Sequence, residues 1–331
     1  MIRTLLVASL CAWTLQGMGL AHAQAQGEPY PNRPIRMVVP FPAGGPTDGM
    51  ARIISDRLGE VLGQTIVVEN RGGGAGGSVG AKVVATTDPD GYTILITPGG
   101  ALTTGPAVHS NIGYDPVKAF VPVACLIESP LVIASHQDLP VKSLADVVAY
   151  AKANPGNIIW GSQGFGTAPH LLFEMFKLET GINVVHVPYR GSALAMQDLL
   201  AGRIDFMCEQ ISTAFPQIKA GVVKAIATLG PARVPVLPDL PTAQEQGLGD
   251  LDCSTWSAFV SPKGTPEEVV RRLAQATNEV VEMPSVRERL ASVGVTVASA
   301  ERRSPEYLGQ FMRRELEKWA GPIKASGVSM D

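Results

Sequence analysis

The feature that most constrains this chain is a strand, loop and helix unit that occurs twice. In the first unit, the β-branched run at residues 35–39 leads into a glycine-rich loop at residues 40–48, and an amphipathic helical pattern follows as far as Gly63. In the second, residues 157–160 lead into a glycine-rich loop at residues 161–170 that opens another helical pattern. Strands that alternate with helices at this spacing predict right-handed crossovers and a mostly parallel sheet. The sequence therefore predicts an α/β fold.

The two units predict two lobes, each with a glycine-rich loop at the carboxyl end of a strand. We expect the chain to cross into the second lobe near residues 129–134 and to return near the proline-rich residues 228–241. Two crossings between lobes predict a hinge. The predicted division is a signal segment at 1–23, a first lobe at 24–128, a second lobe at 129–232 and the completion of the first lobe at 233–331.

The N-terminus has the pattern of a secretory signal peptide. Arg3 precedes an apolar stretch at residues 5–20, and Ala21, His22 and Ala23 form a small-x-small cleavage site. Cleavage after Ala25 fits nearly as well, and a retained helical anchor is the alternative. No later segment reaches the roughly 18 uninterrupted apolar residues that a membrane helix needs. The sequence therefore predicts that the chain is exported and processed.

Charge and cysteine usage exclude several classes of protein. The chain has 27 Lys and Arg against 30 Asp and Glu, and this negative balance argues against nucleic acid as a partner. Cys125, Cys208 and Cys253 lie beyond the signal segment and allow at most one disulfide. The histidines beyond the signal segment have no metal-ligand spacing to one another, so neither a metal nor a cofactor is expected.

The two loops have the composition of an anion site. A helix N-terminus presents unpaired backbone N–H groups and a partial positive charge, so a glycine-lined turn that feeds into it binds anions without Lys or Arg. In the first loop, Gly44 and Gly45 allow close approach of backbone to a ligand, and Thr47 or Asp48 can cap the helix.

The second loop adds side-chain donors to its backbone N–H groups. Ser162 and Thr167 offer hydroxyls, and Gly164 and Gly166 offer bare N–H groups. His170 falls in the first turn of the following helix, where the positive helix end disfavours an imidazolium, so we expect a neutral donor that faces the mouth of the site. Ligands of open α/β sheets bind beyond the carboxyl ends of strands, where both loops fall.

Plainer readings of these residues stay open. Both loops have the form of ordinary capped turns, and His170 is equally compatible with a core position. Glu209 is a candidate to face the cleft, whereas Asp205 is expected to cap a turn. Residues 72–77 match the dinucleotide pattern G-x-G-x-x-G, but the match is nearly all glycine, and we interpret it as a tight turn packed against neighbouring backbone. A hydrolase that uses Ser162 and His170 is a further alternative.

Many short motifs, in order along nearly the whole chain, resemble the extracytoplasmic receptors of tripartite tricarboxylate transporters, also called Bordetella uptake gene (Bug) proteins. The motifs include Tyr-Pro at 30–31, the run at 34–41, Gly44-Gly45 with Asp48, and the segments at 67–71, 89–93, 114–116, 161–171, 187–191, 218–221, 237–242 and 264–266, with Trp256.

The resemblance implies a type II periplasmic binding protein of the Venus flytrap kind, in which each of two lobes is a mixed sheet flanked by helices. It implies a periplasmic monomer that holds a small-molecule carboxylate without catalysis and delivers it to a permease of one large and one small integral-membrane subunit. A sensory module for a histidine kinase is the alternative. The contacts that the resemblance implies fall on Ala43, Gly44, Gly45, Thr47, Asp48, Ser162, Gly164, Gly166, Thr167 and His170.

Three positions depart from the family pattern. Pro46 follows the double glycine where a more flexible residue is common, and Cys208 stands where an aromatic residue is common. Phe165 occupies a loop position that often carries a small or polar residue, and there it would narrow the pocket or stack on an aromatic ligand. Phe165 is therefore a further candidate ligand contact.

Overall fold

A computed structural model of the chain describes residues 29–109, 111–251 and 254–329. The predicted signal segment and both predicted cleavage sites, at Ala23 and Ala25, lie outside these residues. Residues 29–32 have no regular structure, and the folded unit begins at Arg33.

The strands and helices alternate through the first two thirds of the chain, as predicted. The strands are β1 (Ile35–Val39), β2 (Ile66–Asn70), β3 (Thr93–Pro98), β4 (Phe120–His136), β5 (Ile159–Ser162), β6 (Val185–Pro188), β7 (Phe206–Gln210), β8 (Val223–Thr228), β9 (Ser254–Pro262) and β10 (Thr296–Val297). The helices are α1 (Pro46–Leu62), α2 (Ser78–Ala85), α3 (Thr104–Val108), α4 (Pro116–Ala119), α5 (Leu144–Ala153), α6 (Ala168–Thr180), α7 (Ser192–Leu200), α8 (Ile211–Lys219), α9 (Glu267–Glu282), α10 (Pro284–Ala291) and α11 (Pro305–Ser326).

Strand β4 joins two mixed sheets. The strand order is β2-β1-β3-β9-β4-β7-β5-β6, with β8 and β10 also paired to β4. The first half of β4 pairs with β9, and its second half pairs with β7 and β8. In the first sheet β1 is parallel to β2 and β3, and in the second β5 is parallel to β6 and β7. Both glycine-rich loops follow the carboxyl ends of parallel strands, so they lie where open α/β sheets bind ligands.

Each sheet packs against its own buried apolar side chains, but α11 contacts both cores. Leu308 and Met312 lie in the cluster that covers the first sheet, whereas Trp319 and Ile323 lie in the cluster around Trp160 of the second sheet. The helix predicted to complete the first lobe therefore also packs on the second. The predicted lobe boundaries at residues 128 and 232 stay predictions.

Two of the three cysteines considered above lie in these cores. Cys125 is buried in the first core and Cys208 in the second, and they form no disulfide with each other. Cys253 lies outside the described residues. In the part of the chain that is described, no helix is long and apolar enough to cross a membrane.

Candidate functional site

Phe41 and Gln163 mark the place where the two glycine-rich loops meet. Both residues line three neighbouring cavities. The loop cavity, of about 20 Å³, lies between residues 41–47 and residues 190–194. The aromatic cavity, of about 30 Å³, is bounded by Trp256 and Trp319, and the outer cavity, of about 280 Å³, is bounded by Phe165 and residues 188–190. The loop cavity and the aromatic cavity each have room for little more than one or two water molecules.

Two hydrogen bonds hold the second loop against residues that follow β2 and β3 of the first sheet. The N–H of Gly76 donates to the carbonyl oxygen of Phe165 at 2.9 Å, and the hydroxyl of Thr104 donates to the carbonyl oxygen of Gly166 at 2.6 Å. A Cβ on Gly76 would lie 2.5 Å from the carbonyl oxygen of Gly100. The interpretation of residues 72–77 as a tight turn packed against neighbouring backbone is therefore confirmed.

The first loop is held by a carboxylate of its own helix. The N–H of Gly44, whose φ is +82°, donates to Asp48 Oδ2 at 3.0 Å, and the guanidinium of Arg52 donates to both oxygens of Asp48. Burial acts to raise the pKa of Asp48, but the hydrogen bonds from Arg52 and Gly44 outweigh it and hold that pKa below its usual value. Ala43, Gly45 and Thr47 line the loop cavity, while the Asp48 carboxylate points back into its own loop.

The second loop is held by neutral hydrogen bonds. Ser162 is fully buried; its hydroxyl oxygen accepts from the N–H of Gly164 at 3.2 Å and lies 2.8 Å from Nε2 of His186. The hydroxyl of Thr167 donates to the carbonyl oxygen of Gly164 at 2.8 Å. Thr167 and Gly164 line the outer cavity, but the Ser162 side chain faces the protein interior.

His170 lies behind the second loop and not at the mouth of the site. Its Nδ1 accepts from the N–H of Gly166 at 3.3 Å, its ring stacks on His186 with centroids 4.5 Å apart, and Phe165 contacts both imidazoles edge-on. Burial, with smaller effects from His186 and Lys177, lowers the pKa of His170 to about 3. The ring is thus neutral, as predicted, but it supports the loop from behind. Burial likewise lowers the pKa of His186 to about 4.

His170, Glu174 and His186 come within metal-ligand reach of one another, with ligand atoms all within 4.8 Å. Sequence spacing does not predict this grouping, because His186 lies on β6 and the other two residues lie on α6. The two imidazole rings are inclined by only 20° and form a stack. Nδ1 of His170 already accepts from the N–H of Gly166, Nε2 of His186 lies against the Ser162 hydroxyl, and Glu174 is paired with Lys177. Each of the three side chains therefore already has a partner within the protein.

Glu209 lies beneath the site and receives hydrogen bonds from three parts of it. Its Oε1 accepts from the side-chain amide of Gln163 at 2.6 Å and from the N–H of Gln210 at 2.7 Å, and its Oε2 accepts from the hydroxyl of Ser192. The carboxyl is fully buried, and burial raises its pKa to about 7 although these hydrogen bonds act to lower it. Asp205 accepts from the N–H of Ile159 at 2.7 Å, so its carboxylate binds the start of β5, 46 positions away, and does not cap its own turn as predicted.

Sequence reasoning missed Gln163, Ser192 and Arg190, which all line the loop cavity. A signal was present: Gly191 and Ser192 follow β6 and open α7, so the strand, loop and helix unit occurs a third time. The N-termini of α1 and α7 border the loop cavity, those of α6 and α8 border the aromatic cavity, and Gln163 lines both cavities. Two positive helix ends at each of these cavities favour an anion there.

The hydrolase alternative needs a serine exposed to substrate and in contact with a base. The structure places His186, not His170, beside Ser162, and buries the serine completely. The Ser162 oxygen already accepts a backbone N–H, so the pair has the environment of a structural hydrogen bond.

Two mixed sheets that share β4, with helix N-termini gathered between them, define a periplasmic solute-binding protein of the two-lobed type II class. The structure of the periplasmic binding protein BugD superposes with a TM-score of 0.87 at 38% sequence identity, over 91% of this chain and 99% of that one. The chain belongs to the family described as the tripartite tricarboxylate transporter family receptor, which matches residues 50–328. The family consists of solute-binding receptors and not of enzymes.

Two other structures carry ligands. MatC from Rhodopseudomonas palustris with bound malate is 35% identical, with a TM-score of 0.85, over 89% of this chain and all of that one. The R. palustris protein Rpa4515 with adipate is 33% identical, with a TM-score of 0.87, over 91% of this chain and 99% of that one. Both of these ligands are dicarboxylates.

Proposed function

We propose that this chain is a periplasmic receptor that captures a small carboxylate and delivers it to the integral-membrane permease subunits of a tripartite tricarboxylate-type transporter. The ligand class comprises di- and tricarboxylates, acidic amino acids and aromatic carboxylates. The observation that carries the proposal is the loop cavity, where the N-termini of α1 and α7 face each other across Gln163. The malate and adipate bound by MatC and Rpa4515 support the same class.

The proposed contacts divide the site residues, both the predicted ones and those that the structure adds, into two groups. Residues that line the three cavities contact the ligand, and the others hold the loops in shape through the hydrogen bonds described above. The contact group is Ala43, Gly45, Thr47, Gln163, Gly164, Phe165, Thr167 and Ser192. The supporting group is Gly44, Asp48, Ser162, Gly166, His170 and Glu209.

The size of the loop cavity implies movement. About 20 Å³ holds a water molecule but not a dicarboxylate, so the lobes must part about β4 and β9 for a carboxylate to enter. Closure would then bring Phe165 and Gly166 back toward the first lobe, around the bound carboxylate. This is a hinge-type transition, and the closed form is the one we expect the permease subunits to recognise.

A charge placed in the loop cavity tests the proposal. Ala43 is exposed at the rim of the loop cavity, so Ala43→Asp adds a carboxylate without disturbing a core. Ala149→Asp on the exposed side of α5 is the matched control. Thermal unfolding is measured with malate, adipate, aspartate, citrate and benzoate, and with glucose as a neutral compound.

We expect at least one carboxylate, and not glucose, to raise the melting temperature of the wild type and of Ala149→Asp. The stabilisation should approach roughly 2.7 kcal/mol at 100 times the dissociation constant. Ala43→Asp should abolish the shift. An equal shift in both variants would contradict a site in the loop cavity, and the absence of any carboxylate effect on the wild type would contradict the function.

A further inference from the structure

The Glu209 carboxyl links three loops of the site, and its hydrogen bonds are all to neutral groups. Gln163 belongs to the second glycine-rich loop, Ser192 begins α7, and Gln210 precedes α8. Gln163 and Ser192 line the loop cavity, whereas Glu209 lies one layer deeper. A carboxylate held in the loop cavity would therefore be separated from Glu209 by a single side chain.

Glu209 has no counter-ion among the charged groups of the surrounding described elements. In the described part of the chain no Lys or Arg forms an ion pair with it, and the residue opposite it on β4 is Val132. Arg190 lines the loop cavity on the side of α7. The other titratable and charged groups are His170, Glu174 and Lys177 on α6, His186 and Tyr189 before α7, Asp198 and Arg203 on and after it, Lys219 on α8, and Asp48 with Arg52 across the cavity.

We propose that Glu209 takes up one proton when a carboxylate occupies the loop cavity, and that this proton turns the Ser192 hydroxyl toward the ligand. This inference rests on the carboxylate-binding function proposed above. Arg190 and the N-termini of α1 and α7 favour a carboxylate in the loop cavity, but Glu209 itself has no counter-ion. A ligand anion one layer away therefore repels the charge of Glu209 strongly, because the local dielectric is low. Protonation of Glu209 removes that repulsion.

The hydrogen-bond pattern allows this change through rotation of hydroxyl groups alone, with no heavy atom displaced. In the ionised state Ser192 donates its hydroxyl hydrogen to Glu209 Oε2. When Oε2 gains a proton from solvent, the new O–H donates to the Ser192 oxygen, and the serine hydrogen is free to point into the loop cavity. The amide of Gln163 and the N–H of Gln210 continue to donate to Oε1. One proton enters, and one donor is redirected to the ligand.

Because burial raises the pKa of Glu209 to about 7, its carboxyl can take up a proton near neutral pH. A bound anion raises that pKa further. Below about pH 6, Glu209 is already protonated in the empty receptor and binding needs no proton. Above about pH 7, binding should take up a proton, and the dissociation constant should rise toward tenfold per pH unit.

Titration calorimetry with malate and adipate tests the coupling, in buffers of different ionisation enthalpy at about pH 5.5, 7 and 8.5. Both compounds are fully ionised at the two higher values, so proton uptake there reports the protein. We expect close to one proton per ligand at pH 8.5. Glu209→Gln is the neutral mimic of the protonated state, because its amide N–H₂ can donate to Ser192 while its oxygen accepts from Gln163. It should bind without proton uptake and with the same affinity at pH 7 and pH 8.5, where the ligands are fully ionised.

Ser192→Ala and Ser212→Ala form a matched pair at the starts of α7 and α8. Ser192→Ala should weaken binding about tenfold at pH 5.5, as expected for one lost hydrogen bond to a charged group. Ser212→Ala, at a position outside the loop cavity, should not weaken it.

The inference would be overturned if the wild type bound the ligand at pH 8.5 without proton uptake, or if Glu209→Gln retained the proton uptake. If Glu209→Gln does not fold, the wild-type titration alone decides. Carboxylate binding without proton coupling leaves the receptor function standing; no carboxylate binding at any pH overturns both.

Discussion

The two glycine-rich loops are alike in sequence pattern but are held in opposite ways. Loop 40–48 is held by an ion pair, because Gly44 donates to Asp48 and Arg52 neutralises that carboxylate. Loop 161–170 is held by neutral groups: the Ser162 hydroxyl, and the His170 ring that accepts from Gly166. The first loop presents backbone to the loop cavity, whereas the second also forms the contact with the other side of the cleft. In the proposed mechanism, the same unit thus gives a wall of the site in loop 40–48 and a closing surface in loop 161–170.

The largest expected effect distinguishes the closing surface from an ordinary left-handed turn. Gly166 has a φ of +69°, and a Cβ there would lie 2.8 Å from Val108 and 3.1 Å from Cα of Gly105. Gly181 has a φ of +66° and no atom within 4 Å of such a Cβ. We expect Gly181→Ala to cost about 1–2 kcal/mol of unfolding free energy for the backbone strain alone.

Gly166→Ala should cost about 1–3 kcal/mol more from overpacking, and it should abolish the carboxylate-induced rise in melting temperature. Urea unfolding and thermal shift measure the two effects. If both variants bind carboxylate equally well, loop 161–170 is not the closing surface and the comparison between the loops breaks down.

The next effect concerns the ion pair in the first loop. Asp48→Ala removes a buried carboxylate that accepts from the N–H of Gly44 and from Arg52, and it should cost about 1–3 kcal/mol. The exposed pair of Arg57 and Glu60 on the same helix is the control, and Glu60→Ala should cost less than about 1 kcal/mol. Because the pKa of Asp48 is lowered on folding, its stabilisation is complete above the unfolded value of 3.8 and is lost only as pH falls below it. Equal urea midpoints for Asp48→Ala and Glu60→Ala at pH 7 would contradict the claim that the ion pair of Asp48 holds the first loop.

The smallest effect concerns the imidazole stack of the second loop, and it has a different pH window. The pKa values of His170 and His186 fall on folding from 6.5 to about 3 and about 4. The unfolded chain therefore binds protons before the folded one does. The stability that depends on neutral rings is complete above pH 6.5 and is lost progressively as pH falls toward 4 and then 3.

His186→Phe keeps a stacked ring but removes one titrating group. Its loss of stability between pH 6.5 and 5.5 should be about 1 kcal/mol smaller than that of the wild type. His136→Gln, at the end of β4 and away from the stack, is the control and should follow the wild type. If His186→Phe loses stability with pH just as the wild type does, the acid sensitivity does not come from the stack.

The sequence predicted the positions of both loops correctly because their determinants are local. Glycine supplies the left-handed φ of Gly44, Gly164 and Gly166, and a proline in the first turn marks the starts of α1 and α6. The neutral state of His170 was predicted from the nearby helix N-terminus, but burial, with smaller effects from His186 and Lys177, is what lowers its pKa. The loop before α7 has the same local signal at Gly191 and Ser192, but its single glycine makes that signal weaker than in the two glycine-rich loops.

The sequence by itself determined the α/β alternation, the family and the two glycine-rich turns, since these depend on residues a few positions apart. Only the tertiary structure decided which polar groups face the cleft. Glu209 meets Gln163 across 46 positions and Ser192 across 17, and His186 reaches Ser162 across 24. Such pairings arise when parallel strands bring distant loops to one sheet edge, where each buried polar group must find a partner. That requirement turned Ser162, Asp48 and His170 inward and left Gln163, Ser192 and bare backbone facing the cavity.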